Sequence, residues 1–363
     1  MRYRLITLGI VIAVATALSA QPTYRLHANG EIWVDRLENC GPVQCVKWYL
    51  LGNDPTTREI TAGLGTSGGD GLKGYPDYVP LYQRRTDGTI LIYTGEPCCG
   101  GACLGWKVLD PKRERNPAVS IFAAGEQLYQ LRERGDIWSY NIKLCTPVGP
   151  SCPGWQQLDN SETVEITAVG RPAASPTLYQ RRKTGEVLRY RGTPCSGTAC
   201  WQLLGNNTDI LELTATAAQG SAGVVHTLYQ RRSDGIWRWR YIDKPCDGEL
   251  CAKWEQIDNN SGTISIVTTD GSLYQLRNDG KIWIYLGGPG AVCSDTSCPA
   301  WQLVDEDSRT RQIAAGGTSF YKRHDNGAIW RYAKRECDND GSACSQWQLL
   351  YDPTMSTIVS SQN

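Results

Sequence analysis

The chain repeats two groupings of side chains that could support binding: an aromatic residue near a cation, and two cysteines close together. A tyrosine recurs seven times, and a cation stands three residues after each copy. The tyrosines are Tyr24, Tyr82, Tyr129, Tyr179, Tyr229, Tyr274 and Tyr321, and the cations are His27, Arg85, Arg132, Arg182, Arg232, Arg277 and His324. A cation beside an aromatic wall can hold a polyhydroxylated ligand, because it donates hydrogen bonds while the ring covers apolar surface. The same cation could instead pair with a carboxylate or a carbonyl of the fold.

A second aromatic position follows the cation and varies between copies. Tryptophan occupies it in five copies, as Trp33, Trp138, Trp237, Trp283 and Trp330, and leucine in two, as Leu91 and Leu188. Leucine can fill a core but cannot stack on a sugar ring or a cation. The position therefore predicts either packing or ligand stacking.

The fifteen cysteines fall into seven close pairs and one extra residue, Cys99. The predicted disulfides join Cys40 with Cys45, Cys98 with Cys103, Cys145 with Cys152, Cys195 with Cys200, Cys246 with Cys251, Cys293 with Cys298, and Cys337 with Cys344. This number of cysteines is typical of secreted proteins with disulfides, and the spacings do not match a zinc site. Cys99 could be a free thiol, an alternative partner for Cys103 or an intermolecular link.

No constellation for catalysis is present. The chain has three histidines, and two of them, His27 and His324, stand where other copies carry arginine. Motifs for a serine nucleophile, a zinc protease or a phosphate loop do not occur. We expect a protein that is not an enzyme and that uses no cofactor and no metal.

These side chains belong to one unit written seven times. The steps between the seven tyrosines are 58, 47, 50, 50, 45 and 47 residues. Each unit has four short β-type runs, a glycine turn and a late tryptophan that is expected to pack unit against unit. The pattern predicts an all-β fold: a seven-bladed β-propeller with four-stranded antiparallel blades. The cysteine pairs would tie the loop between the third and fourth strands of each blade.

The two ends of the chain carry further expectations. Residues 1–20 have a short basic head and an apolar run that predict a signal peptide, so the protein is expected to be secreted and not inserted in a membrane. Residues 21–363 would form the propeller. The first unit lacks its small-residue strand, and Thr357–Ser361 resembles that strand. We expect this C-terminal strand to complete the first blade and close the ring.

Overall charge argues against a nucleic-acid partner. The chain has 37 basic and 37 acidic residues; loss of Arg2 and Arg4 with the signal leaves 35 against 37, a net charge near −2. Asn206 and Asn259 begin glycosylation sequons at equivalent places in adjacent units. The largest insertion is Gly63–Pro80.

The repeated pattern of "LYQ", arginine, "DG", "IW" and "WQLL" resembles the tectonin-type propellers and related secreted lectin propellers of fungi, bacteria and invertebrates. This resemblance implies a multivalent carbohydrate-binding protein whose partners are glycans or glycoconjugates. The binding residues that it implies are Trp33, Arg132, Trp138, Trp237, Arg277, Trp283 and Trp330. The alternative is a non-catalytic protein-binding scaffold of the extracellular space or cell surface.

Overall fold

The computed structural model describes residues 24–27, 29–39, 44–62, 81–95, 98, 102–124, 127–141, 154–160, 162–169, 176–192, 200–220, 223–242, 254–269, 271–287, 300–316, 319–332 and 347–351. These residues form β-strands arranged in antiparallel sheets, numbered 1 to 7 along the chain. Within each sheet the strands lie side by side in chain order.

The strands have the following bounds. Sheet 1 contains β1 (Tyr24–Leu26), β2 (Glu31–Asn39) and β3 (Gln44–Asn53). Sheet 2 contains β4 (Thr57–Ala62), β5 (Leu81–Arg85), β6 (Ile90–Tyr93) and β7 (Trp106–Asp110). Sheet 3 contains β8 (Ala118–Ala124), β9 (Gln127–Arg132), β10 (Ile137–Asn141) and β11 (Trp155–Asp159). Sheet 4 contains β12 (Thr163–Val169), β13 (Thr177–Arg182), β14 (Glu186–Tyr190) and β15 (Trp201–Asn206).

The later sheets repeat this arrangement. Sheet 5 contains β16 (Ile210–Gly220), β17 (Gly223–Arg232), β18 (Gly235–Ile242) and β19 (Glu255–Asp258). Sheet 6 contains β20 (Thr263–Thr269), β21 (Ser272–Arg277), β22 (Ile282–Tyr285) and β23 (Trp301–Asp305). Sheet 7 contains β24 (Thr310–Gly316), β25 (Ser319–His324), β26 (Ile329–Tyr332) and β27 (Trp347–Tyr351).

The molecule is an all-β propeller with four-stranded antiparallel blades. Sheets 2 to 7 are six such blades, and their first strands contact one another in succession from β4 to β24. Sheet 1 has three strands within the described part of the chain. The strand predicted at Thr357–Ser361, the signal peptide predicted at residues 1–20 and the insertion Gly63–Pro80 lie outside the described residues.

The tight turn that follows the tyrosine strand, between β1 and β2 in sheet 1 and between the second and third strands in sheets 2 to 7, has the glycine conformation that the sequence predicts. Its glycine has a positive φ in every sheet: Gly30, Gly88, Gly135, Gly185, Gly235, Gly280 and Gly327. A side chain would also clash at this turn, because a Cβ on Gly135 would lie 2.3 Å from the backbone nitrogen of Thr163 in sheet 4. The turn of one sheet therefore lies against the first strand of the next, and only glycine fits.

The hydrophobic core lies between successive sheets and consists of separate clusters. Between sheets 2 and 3, for example, the buried side chains of Tyr82 and Ile90 pack against Ile121, Leu128 and Tyr140. Equivalent clusters join each of the other pairs of successive sheets from 1 to 7. Because sheets 2 to 6 each contribute buried side chains to two clusters, one towards each neighbouring sheet, the stack of sheets stabilises all of them together.

Each first strand of sheets 2 to 7 contains a β-bulge one residue after its start. The bulged residues are Arg58, Val119, Val164, Leu211, Ile264 and Arg311. Bulges bend a strand and free one residue from the ladder. The four apolar bulge residues are 43% to 52% exposed.

One of the seven predicted disulfides is described in full. Cys98 is bonded to Cys103 as the sequence predicts, and the bond lies between β6 and β7. Cys200 is also disulfide-bonded, while its predicted partner Cys195 lies outside the described residues. Among the described residues, no helix is long and apolar enough to cross a membrane.

The other predicted disulfides stay predictions, because at least one cysteine of each lies outside the described residues. Cys45 belongs to β3, but its predicted partner Cys40 lies outside them. Both members lie outside in the pairs of Cys145 with Cys152, Cys246 with Cys251, Cys293 with Cys298, and Cys337 with Cys344. Cys99, the unpaired fifteenth cysteine, lies outside as well.

Candidate binding sites at the blade junctions

Where two successive sheets meet, which we call a junction, an acidic residue at or just after the end of one sheet pairs with a basic residue of the next sheet. The basic residue is the one that stands three residues after the repeated tyrosine. In the junction of sheets 2 and 3, Asp110 Oδ2 lies 3.3 Å from Arg132 Nη2. The other pairs are Asp54–Arg85 at 2.7 Å, Asp159–Arg182 at 3.2 Å, Asp258–Arg277 at 3.4 Å and Asp307–His324 at 3.4 Å. Five of the six junctions between successive described sheets therefore have a carboxylate beside this position. In the fifth pair burial lowers the pKa of His324, so Asp307 and His324 form an ion pair only when the imidazole is protonated.

The cations also lie on tryptophan rings of their own sheet. The guanidinium of Arg132 is 4.3 Å from the ring centroid of Trp138, and that of Arg277 is 4.6 Å from Trp283. Arg232 lies 4.3 Å from the centroid of Trp237. Such distances allow a cation–π attraction.

The seven predicted binding residues lie on five different sheets, namely sheets 1, 3, 5, 6 and 7. Arg132 meets Trp138 and Arg277 meets Trp283, as described above, while Trp237 meets Arg232, which was not among the predicted residues. Trp33 has His27 at a centroid distance of 6.3 Å, and Trp330 has His324 at 5.8 Å. All five tryptophans are half-buried. Their role in binding stays a prediction.

Two of these cations are strongly engaged within the protein. Arg132 is 4% exposed, and its donors meet Asp110 and Gln130. Burial lowers the pKa of Arg132, and the charge of Arg113 lowers it further. Arg277 has the same pattern of partners with Asp258 and Gln275. Their guanidinium groups link two sheets, which leaves fewer donors for a ligand.

Sheets 2 and 4, which have leucine at the second aromatic position, contain the ion pair without the tryptophan ring. Arg85 and Arg182 keep their acidic partners although Leu91 and Leu188 replace tryptophan. Both leucines are buried in the core between sheets. The cation–acid pair is thus a structural link that does not depend on the tryptophan.

The late tryptophans pack sheet against sheet, as the sequence predicts. Nε1 of Trp106 donates to the carbonyl of Leu51 at 2.7 Å, and Nε1 of Trp301 donates to that of Ile257 at 2.8 Å. Trp254 makes the same contact with Leu204 at 3.0 Å. In each case the acceptor belongs to the preceding sheet.

The junction of sheets 4 and 5 differs from the others. Gly205 occupies the position of Asp110, Asp159, Asp258 and Asp305, and a Cβ there would lie 2.7 Å from Nε1 of Trp254. Arg232 has no ion pair to a described residue and lies 5.9 Å from the ring of Trp254 in addition to its stack on Trp237. Burial lowers the pKa of Arg232, against the raising effect of Asp234 and Asp209. Arg232 was not predicted as a site residue from the sequence. The signal was the glycine that ends "WQLLG" (201–205), where "WQQLD" (155–159) and "WEQID" (254–258) end in aspartate.

A glutamate in the first strand of three sheets links that strand to the first strand of the next sheet. Glu212 in β16 accepts from Nε of Arg231 at 3.0 Å and from the backbone nitrogen of Ile266 in β20 at 3.1 Å. Glu59 and Glu165 make equivalent contacts, each with the middle arginine of a "QRR" triplet and with the next sheet. Burial raises the pKa of Glu165 despite these hydrogen bonds. The "QRR" triplets are therefore part of the packing between blades.

The remaining predicted site residues are the two asparagines of the glycosylation sequons. Asn206 and Asn259 are exposed, and their glycosylation stays a prediction. Among the described residues, no group of three or more His, Cys, Asp or Glu side chains could hold a metal ion.

No protein-family model matches the chain, and no curated protein matches its sequence. Among solved structures, human WBSCR16 is similar with a TM-score of 0.50 and 10% identity, over 82% of this chain and 83% of that chain. Prp20p from Saccharomyces cerevisiae gives 0.46 and 10%, over 75% and 80%. YCF48 bound to D1 peptide gives 0.43 and 15%, over 81% and 80%. At this identity the likeness to WBSCR16 supports the propeller fold alone.

Proposed function

We propose that this protein is a secreted, non-catalytic propeller that binds glycans or glycoconjugates at its blade junctions. One observation carries the proposal: half-buried tryptophans recur at equivalent positions of five sheets, three of them beside an arginine and two beside a histidine. Indole rings cover the C–H face of a sugar, and cations donate to its hydroxyls. Repetition around a ring would raise avidity for a surface that presents several sugars.

A glycan array probed with the intact protein tests this function. Trp283→Leu is a suitable variant, because leucine occupies the equivalent position in sheets 2 and 4 and should be tolerated by the fold. Leu286→Ala, at an exposed residue just after β22, is the matched control. We expect binding to at least one glycan class, weakened by Trp283→Leu and unchanged by the control. Silence of a folded sample across the array would contradict the proposal.

Closure of the ring by the C-terminal strand belongs to the same proposal. Within the described residues, sheet 1 starts with the tyrosine strand β1, whereas sheets 2 to 7 start with a small-residue strand. We propose that Thr357–Ser361 pairs with β1, completing a seventh blade. Removal of residues 355–363 should then lower the midpoint of thermal unfolding clearly, while Ser361→Ala should not.

A protein-binding role is the second candidate, and the bulge residues favour it. Val119, Val164, Leu211 and Ile264 expose branched apolar side chains on four successive first strands. Exposed apolar surface of this kind can mark an interaction site. A variant with serine at Leu211 and Ile264 should lose such a partner in a pull-down from culture medium yet keep its glycan binding. Loss of both would argue for damage to the fold.

A further inference from the structure

The junction of sheets 4 and 5 lacks both acids that neutralise the cation elsewhere. Gly205 stands where Asp110 pairs with Arg132, and Asn207 stands where Asp54 pairs with Arg85. Among the junctions between successive described sheets, the one between sheets 1 and 2 also has glycine at the first position, Gly52, and it compensates with Asp54. At the junction of sheets 4 and 5, neither position supplies a carboxylate.

Arg232 therefore keeps its charge without an acidic partner within 4.0 Å among the described residues. With its amide oxygen turned toward the guanidinium, Gln230 accepts from Nη2 and Nε. Trp237 covers one face of the guanidinium, and the ring of Trp254 lies farther away. Burial lowers the pKa of Arg232, which means that water solvates this cation poorly.

The charges of Asp234 and Asp209 favour the charged form of Arg232, but neither carboxylate forms an ion pair with it. Asp234 Oδ1 accepts the indole hydrogen bond of Trp237 at 2.9 Å and so fixes the ring. Asn207 Oδ1 accepts from the backbone nitrogen of Asp209 at 2.7 Å. Arg232 and Asn207 are half-buried, and Asp209 and Asp234 are exposed, so a ligand can reach the junction from solvent.

We propose that the junction of sheets 4 and 5 binds the carboxylate of an acidic saccharide, with Arg232 as the anion-binding group beside Trp237. The ligand's carboxylate takes the place beside the cation that Asp54 holds at the junction of sheets 1 and 2, since the indole of Trp254 fills the place of the other aspartates here. A guanidinium donates to a carboxylate through two parallel N–H groups, which gives both affinity and orientation. The indole of Trp237 supplies the apolar contact that a pyranose ring needs. This inference rests on the proposed carbohydrate binding and names its ligand class.

Asn207→Asp is the sharpest variant, because it copies the acid of the junction between sheets 1 and 2. Asp54 Oδ1 accepts from the backbone nitrogen of Thr56 at 2.9 Å, as Asn207 Oδ1 does from Asp209. An aspartate at position 207 can keep that turn and neutralise Arg232 from within. Arg232→Gln removes the charge directly. Asn260→Asp, at the equivalent position of the next junction, is the matched control, since Arg277 already has Asp258 there.

The probes are a galacturonic acid oligosaccharide and sialyllactose, each compared with its neutral methyl ester. Calorimetric titration of the intact protein should detect the acid forms and not the esters. We expect Asn207→Asp and Arg232→Gln each to weaken the acid forms about tenfold or more, with Asn260→Asp close to wild type. Affinity for the acid forms should also fall as salt is added.

The inference is overturned if neither acid binds, if the esters bind equally well, or if Asn207→Asp binds the acids as tightly as wild type. Failure of the wider function has a different signature. Binding of neutral glycans on the array, sensitive to Trp283→Leu, would leave the carbohydrate-binding function standing while this site fails. Circular dichroism of each variant checks that a loss of binding is not a loss of fold.

Discussion

Arg231 Nε lies 3.0 Å from Glu212 Oε2 on the neighbouring strand, and the same carboxylate also accepts a hydrogen bond from the backbone nitrogen of Ile266 in the next sheet. One carboxylate thus joins two strands of sheet 5 to the first strand of sheet 6. Sheets 3 and 6 carry the alternative pair, with Ser120 and Ser265 at the glutamate position and Leu131 and Leu276 at the arginine position.

Replacing Glu212 by serine should destabilise the propeller, and leucine at position 231 should partly restore it. The single change leaves Arg231 half-buried without its acid and removes the acceptor of Ile266, at a cost of about 2–3 kcal/mol. Glu212→Ser with Arg231→Leu copies sheets 3 and 6 and avoids the unpaired cation. Urea unfolding measures the difference, with Glu114→Ser at an exposed loop position as control. A double variant less stable than Glu212→Ser would contradict the account.

Alanine at Gly205 should destabilise the protein by about 1–3 kcal/mol through overpacking. A Cβ at that position would lie 2.7 Å from Nε1 of Trp254, and the contact at the equivalent Gly52 is looser, 3.1 Å from Nε1 of Trp106. Gly205→Ala should therefore cost more than Gly52→Ala. Thermal unfolding compares them, with Leu203→Ala, an exposed residue of the same strand, as control. Equal midpoints for wild type and Gly205→Ala would show that Trp254 does not need this space.

Asp307 should contribute to a loss of stability in acid. Hydrogen bonds from Arg309 and the charge of His324 hold the pKa of Asp307 below its ordinary value of 3.8, against the raising effect of burial. A carboxylate with a depressed folded pKa stabilises the protein above its unfolded pKa, and this stabilisation is lost as pH falls through the folded value. Between about pH 5 and pH 2, urea midpoints of Asp307→Asn should therefore fall less than those of wild type. Parallel pH profiles for the two proteins would contradict the assignment, and Arg309→Gln should flatten the profile in the same window.

Removing the disulfide between Cys98 and Cys103 should lower stability by about 2 kcal/mol, because it closes a short loop. A variant with serine at both positions tests this in thermal unfolding under non-reducing conditions. Cys99→Ser is the control, and we expect it to keep the disulfide and the midpoint of wild type. A midpoint for Cys99→Ser as low as that of the double variant would mean that Cys99 takes part in the bond.

Much of the fold could be predicted from the sequence because the unit repeats. The glycine turns, the four strands per unit and the packing role of the late tryptophans all follow from positions aligned across copies. The partner of each cation could not be predicted in this way. An alignment places Asp110 and Arg132 in different units without telling which sheets touch, so only the structure shows that they join neighbouring blades.

The candidate site was harder to predict for a related reason. Trp237 was expected from the tryptophan pattern, but Arg232 was overlooked because it shares its position with six other cations. Its difference lies in Gly205 and Asn207, about 25 residues earlier in the chain and in another sheet. The exposure of Leu211 and Ile264 also depends on bulges that hydrophobic periodicity does not reveal.

The central claim is that the aromatic and cationic residues of the junctions contact a saccharide. Calorimetric titration of wild type and Trp237→Leu with the saccharide that binds best on the array tests it most directly. The account predicts fewer saccharides bound per protein for Trp237→Leu, with an unchanged unfolding midpoint, because leucine fills the position in sheets 2 and 4 but cannot stack. Equal stoichiometry and equal affinity for the two proteins, or no saccharide bound by the folded wild type, would contradict it.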